Sequence, residues 1–137
     1  MILLNPSIAD SERDDPVVAR QIVRASRWGH GGLIIMNVFA RVCTDPRRLR
    51  RAHARGEDIV GPETNERLAD LCRLSWPGSR LLLGWGNGAM IGDRVSEVLA
   101  IMHKHAANPW CLGVTLKGQP MHPLYVAYDR PLVPFPP

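Results

Sequence analysis

Four short apolar runs punctuate the chain, and each gives way to a polar loop marked by Gly, Pro or Asn. The runs are Met1–Leu4, Gly32–Met36, Arg80–Gly84 and Trp110–Val114. They are followed in turn by Asn5-Pro6-Ser7, by Asn37, by Trp85-Gly86-Asn87-Gly88, and by Thr115 through His122. Runs of this length bounded by turn residues predict short buried strands. Between them the apolar spacing becomes helical. Asp14-Asp15-Pro16 reads as an N-cap with proline in the first turn, after which Val18, Ile22, Ala25 and Trp28 form a stripe that stops near Gly29. Thr44-Asp45-Pro46 opens a short basic helix through Arg55, and Pro62 begins a third helix with Leu68, Leu71 and Cys72 on one face. A fourth helix carries Ile91, Val95, Val98, Leu99 and Met102, and the tail beyond the last loop is proline-rich and irregular.

Strands alternating with helices predict an α/β fold, a three-layer α/β/α domain with a short four-stranded, mainly parallel sheet. Right-handed crossovers would place the carboxyl ends of all four strands on one edge, where ligands bind in open α/β sheets. The 137 residues hold no repeat and no linker, so residues 1–137 read as a single domain. An opening inside a strand predicts that part of the first strand lies upstream.

Composition narrows the class more than the function. Hydrophobic residues make up 45% and charged residues 22%, the balance of a globular domain. With no membrane-length apolar run and no leader-like opening, the expected location is the cytoplasm. Cys43, Cys72 and Cys111 are odd in number and widely spaced, which argues against a disulfide framework and a four-cysteine zinc site. The net charge of +4 is carried by arginine, with Lys104 and Lys117 the lysines. Arginine suits phosphate, but a GC-rich genome also encodes it in place of lysine, so the charge permits a nucleic-acid partner without demonstrating one.

The loops at the predicted strand ends hold the candidate chemistry. The Asn5 amide can donate to and accept from a water or a ligand edge, although Asn-Pro also simply opens turns. Asn37 could meet a donor and an acceptor of a nucleobase at once, or could merely cap its strand. Gly86-Asn87-Gly88 leading into a helix could offer N–H groups to an anion, but it is neither a Walker nor a dinucleotide fingerprint. His122, held between prolines 120 and 123, could donate to a developing anion, or lie idle at the surface. Asp10, Asp14 and Asp15 are close enough to the first loop to bring a carboxylate into the site, capping being the competing role for the last two. His103 and His105 diverge on a helix, and Arg47, Arg51 and Arg55 share a face that reads as solvated or as a phosphate-binding surface. No metal and no cofactor are called for.

Several of these segments resemble a known family. Asn5-Pro6-Ser7-x-Ala9-Asp10, Asn37-Val38-Phe39-Ala40, Val60-Gly61, Trp85-Gly86, and the stretch from Leu112-Gly113-x-Thr115-x-Lys117-Gly118 to Pro120-x-His122-Pro123-Leu124-Tyr125 are similar to an uncharacterised bacterial and phage family. It is the domain of unknown function numbered sixteen forty-three, and its name implies no activity. More distantly, the order of motifs resembles the uracil-DNA glycosylase superfamily. Asn5-Pro6 looks like the first motif of its mismatch-specific branch, Asn37 like the strand-terminal Asn that reads the pyrimidine, Trp85-Gly86 like the Trp-Gly strand end, and His122-Pro123 like the start of the last motif.

That second resemblance implies a division of labour. Asn5, with Asp10, would position the hydrolytic water, and His122 would stabilise the departing base anion. Pro6, Ser7, Asn37, Phe39, Trp85, Gly86, Thr115 and Lys117 would hold the base or ligand, with Phe39 stacking on it. The partner is then a nucleobase or nucleotide, with single-stranded DNA among the candidates. Leu124-Tyr125 stands where glycosylases have Ser-Pro and a DNA-intruding loop, which puts base extrusion from a duplex in doubt. Three readings stay open: a glycosylase-like domain acting on an N-glycosidic bond, a non-catalytic nucleotide- or nucleic-acid-binding module, and an unrelated small-molecule enzyme.

Overall fold

The computed structural model describes residues 1–7, 15–74 and 78–136. Asp10 and Asp14 lie outside the described residues. The four apolar runs do form strands, each pairing over two residues only: β1 (Ile2–Leu3), β2 (Met36–Asn37), β3 (Leu82–Leu83) and β4 (Trp110–Cys111). Helices α1 (Pro16–Arg27), α2 (Pro46–Ala54), α3 (Thr64–Arg73) and α4 (Arg94–Lys104) connect them. Asp15 and Asp45 cap α1 and α2 by accepting from the N–H groups of Val17 (2.6 Å) and Arg47 (2.9 Å), which would otherwise lack partners.

The sheet has five strands rather than four. Its order is β2-β1-β3-β4-β5, with β1 to β4 parallel and β5 (Val133–Pro134) antiparallel to β4. Pro134 hides this strand from a sequence reading, since proline argues against a central strand. It is tolerated here because β5 is an edge. The Phe135 N–H then donates to Pro109 O at 2.9 Å and fastens the tail.

Strand alternation divides the core. Ile2, Leu4, Leu83 and Trp85 pack with Leu49, Leu68, Val98 and Met102 from α2, α3 and α4. Met1, Leu3 and Leu82 face the other way, into a smaller cluster with Val17 of α1, Leu112 and Val126. Successive residues of one strand thus feed two apolar clusters, which is the two-residue period of a sheet buried on both faces. From β1 the chain crosses to β2 on one side and returns to β3 on the other, so a crevice opens between the carboxyl ends of β1 and β3.

Three local expectations are corrected. Only half of the predicted α1 stripe is buried: Ala25 is buried and Trp28 packs on the smaller cluster, but Val18 and Ile22 are 37% and 56% exposed, with Gln21 and Arg24 buried instead. Arg24 turns inward to hold backbone carbonyls of the 123–127 segment, which rotates the apolar positions outward. Asn37 is the last residue of β2 rather than the first after it. Gly86-Asn87-Gly88 lies in a separate 3₁₀ turn (Gly86–Ala89), five residues before α4 begins, so it does not form that helix's N-terminus. No helix among the described residues is long and apolar enough to cross a membrane.

Candidate functional site

A cavity of about 780 Å³ opens at the carboxyl ends of β1, β2 and β3. Asn5, Pro6 and Ser7 line it from the loop after β1, and Asn37 lines it from the end of β2. Trp85 and Gly86 contribute from the loop after β3, Thr115 from beyond β4, and His122 from the last loop. Eight of the eleven residues given a catalytic or ligand-holding role from the sequence therefore share one lining.

Two others do not. Phe39 is 1% exposed within the core, where no ligand can stack on it. It sits past the end of β2, and its N–H donates to Leu4 O at 3.0 Å, which turns the segment into the protein. Lys117 is exposed and outside the cavity lining.

Each wall is fixed by hydrogen bonds that the sequence only partly announces. Asn5 Nδ2 donates to Cys43 O (2.6 Å) and Pro6 O (2.8 Å), so the amide nitrogen ties its loop to the segment before α2. Its oxygen accepts no hydrogen bond among the described residues. Trp85, 1% exposed, forms the floor, and its indole N–H donates to Gln119 Oε1 at 2.9 Å. Thr115 Oγ1 donates to Asn87 Oδ1 at 2.7 Å, joining the loops that follow β3 and β4.

Glycine lets the His122 loop approach the strands. A Cβ on Gly84 would lie 2.7 Å from Pro123 Cδ and 3.1 Å from Leu3 Cδ2. Gly86 adopts φ +62° and donates its N–H to Pro120 O at 2.9 Å, bringing the backbone against His122.

His122 is half-buried, and its Nδ1 accepts from the Leu124 N–H (3.4 Å) at the start of the 3₁₀ turn Pro123–Tyr125. That leaves Nε2–H as the donor of the neutral ring. Burial lowers the pKa below the usual histidine value, partly offset by the Asp15 carboxylate, so the ring is neutral at pH 7.

Asp15 does more than cap a helix. It lines the cavity, and its second carboxylate oxygen accepts from Ser7 Oγ. Both roles are open in the sequence, which places Asp15 near enough to the first loop to bring a carboxylate into the site and also at a helix cap. Arg24 is invisible from sequence, because arginine is rarely buried. It donates to Val126 O (3.0 Å), Ala127 O (3.1 Å) and Pro123 O (3.4 Å), clamping the segment that carries His122. On the other side, Arg94 Nε donates to Val38 O at 2.7 Å, directly beyond Asn37. The basic face of α2 is solvated: Arg47, Arg51 and Arg55 are exposed, with Arg47 paired to Asp45 and Arg55 to Glu57.

The family described as Protein of unknown function (DUF1643) matches residues 1–124. The chain belongs to this family. The DUF1643 match takes in all eight cavity-lining positions read from the sequence and stops short of β5. No curated protein matches the chain, and no solved structure does.

Proposed function

We propose that this DUF1643 chain binds a nucleobase or nucleotide in the cavity at its strand ends and hydrolyses the N-glycosidic bond, on a three-layer, uracil-DNA-glycosylase-like fold. The observation that carries the reading is the presence of Asn5, Asn37 and His122 in the lining of one cavity. Its volume suits a nucleoside-sized ligand.

In this reading Asn37 pairs with the base edge, its amide offering one donor and one acceptor. The glycosidic bond breaks with its electron pair leaving on the base nitrogen, and the Nε2–H of His122 donates to the anion that develops there. A neutral imidazole serves this role without needing a strong acid. The sugar, left cation-like, is captured by a water held on the Asn5 oxygen. The water oxygen joins the sugar carbon, and its proton leaves for the departing base or for solvent. The Asp15 carboxylate favours the positive charge on the sugar.

Single strands containing uracil or hypoxanthine, and the corresponding free deoxynucleotides, provide the test, with liberated base followed by chromatography. Wild-type protein is expected to release base from at least one of them, and His122→Ala to slow release by about a hundredfold, the typical weight of one donor to a developing anion. Failure of the wild type to release base from any substrate overturns the hydrolytic part.

One observation favours a second reading, a non-catalytic nucleotide-binding module. The Asn5 amide nitrogen and the Asp15 carboxylate already have structural partners, leaving few groups to direct a water. That reading predicts oligonucleotide binding that is lost in Asn37→Ala, with no base released.

A further inference from the structure

Three arginines of α1 converge on one tyrosine outside the cavity. Arg20, Arg24 and Arg27 recur at helical spacing and so share a face of α1. Their guanidinium carbons lie 4.2, 5.4 and 4.6 Å from the centroid of the Tyr128 ring. None of the three pairs with a carboxylate among the described residues. Arg24 donates to carbonyls of the 123–127 segment, and Arg20 Nη2 donates to Val126 O at 2.8 Å. The Nε–H groups of Arg20 and Arg24 are buried without a partner, so donors here outnumber acceptors. The Arg27 guanidinium and the Tyr128 hydroxyl donate to no described residue.

Like charges held this close repel one another. Burial lowers the Arg24 pKa, and the charges of Arg20 and Arg27 lower it further. The face of a tyrosine attracts cations but carries no net charge, so the cluster stays strongly positive. Arg27 is exposed, and Arg20 and Tyr128 are half-buried, so an anion can approach from solvent. Two guanidinium forks beside one ring call for an acceptor with more oxygens than a carboxylate has, and a phosphate group has them.

We propose that Arg20, Arg27 and Tyr128 form a phosphate-binding site. None of them lines the cavity at the strand ends, so the site is separate from it and does not depend on the nucleobase reading. Phosphate held there ties α1 to the end of the segment that carries His122. It stiffens that segment, in which Tyr125 and Val126 line the cavity.

Titration of ¹⁵N-labelled protein with inorganic phosphate, followed at arginine Nε–H groups and backbone amides, tests the site. Wild-type protein is expected to show saturable shifts at Arg20, Arg27 and Tyr128, with slower amide exchange across 122–128. Arg27→Gln, at an exposed position that folding does not need, is expected to weaken binding about tenfold. Arg51→Gln removes an exposed charge from α2 and should leave binding unchanged. Deoxyuridine monophosphate distinguishes the two sources of a phosphate group. It is expected to leave Arg27 unmoved, which makes the ligand free phosphate. Arg27 shifts that the monophosphate causes and deoxyuridine does not would make it the phosphate of a nucleotide, the site standing in both cases. Shifts that fail to saturate with either phosphate source, or binding weakened equally by Arg27→Gln and Arg51→Gln, overturn the site.

Discussion

Arg24 on α1 and Arg94 on α4 are both buried, and each fastens one wall of the cavity, but they do so by different chemistry. Arg94 has a mixed set of partners: the Val38 carbonyl (2.7 Å), the Asn65 side chain (2.6 Å) and the Glu97 carboxylate (2.9 Å). Arg24 donates to three backbone carbonyls and, among the described residues, to no carboxylate, with Tyr128 and Trp28 rings 5.4 and 5.7 Å from its guanidinium carbon. Burial and the nearby Arg20 lower its pKa accordingly. The three carbonyls that Arg24 meets also accept from Arg20 Nη2 (Val126 O, 2.8 Å) and from the N–H groups of Val126 and Arg130, so what Arg24 supplies beyond them is a fully buried charged side chain packed against the 123–127 segment. The His122 wall is therefore held by two arginines of α1, whereas the Asn37 wall meets one, Arg94 at Val38 O.

The largest effect is expected from Arg24→Ala, a loss of about 3 kcal/mol in chemical denaturation, since it removes one of the largest fully buried side chains and empties its volume. Arg94→Ala should cost less, about 2 kcal/mol, because Asn65 and Glu97 can turn to water while Val38 O loses its partner. Equal losses, or a larger one at Arg94, would break the contrast. The two variants also separate by location: amide exchange should rise through 122–127 in the first and around 37–39 in the second.

The smallest effect is one of pH. His122 is harder to protonate in the folded chain than in the unfolded one. The folded state therefore binds fewer protons, and stability falls as pH drops below the ordinary histidine value of 6.5. His122→Gln should remove that component while leaving the rest of the acid profile in place. An unchanged slope between wild type and variant would show that burial does not act on this ring.

The element order and the edge that gathers the site were legible because short apolar runs ending in Asn-Pro, Asn and Trp-Gly leave few alternatives. Asn5, Asn37, Trp85, Thr115 and His122 follow from that order alone. What escaped reading depended on contacts distant in sequence. Phe39 looks available for stacking until Leu4 O draws its backbone inward. Arg24 looks solvated until the carbonyls of 123–127 meet its guanidinium, and Val133-Pro134 becomes a strand only because β4 leaves an open edge beside it. Asp15 reads as either a cap or a carboxylate for the site, and it is both, since it caps α1 and meets Ser7 in the cavity lining.

A second cavity, of about 680 Å³, shows that volume is not what marks the site. It involves Trp28, the Gly29–Gly32 stretch and Leu82, and its polar side chains are few, His30, Ser79 and Arg80 among them. Titrating ¹⁵N-labelled protein with deoxyuridine monophosphate decides between the two. The account predicts shifts confined to the Asn5 and Asn37 amides, the Trp85 indole, Gly86, Thr115 and His122. Shifts centred on His30, Gly31 and Ser79, or none at millimolar nucleotide, would contradict it.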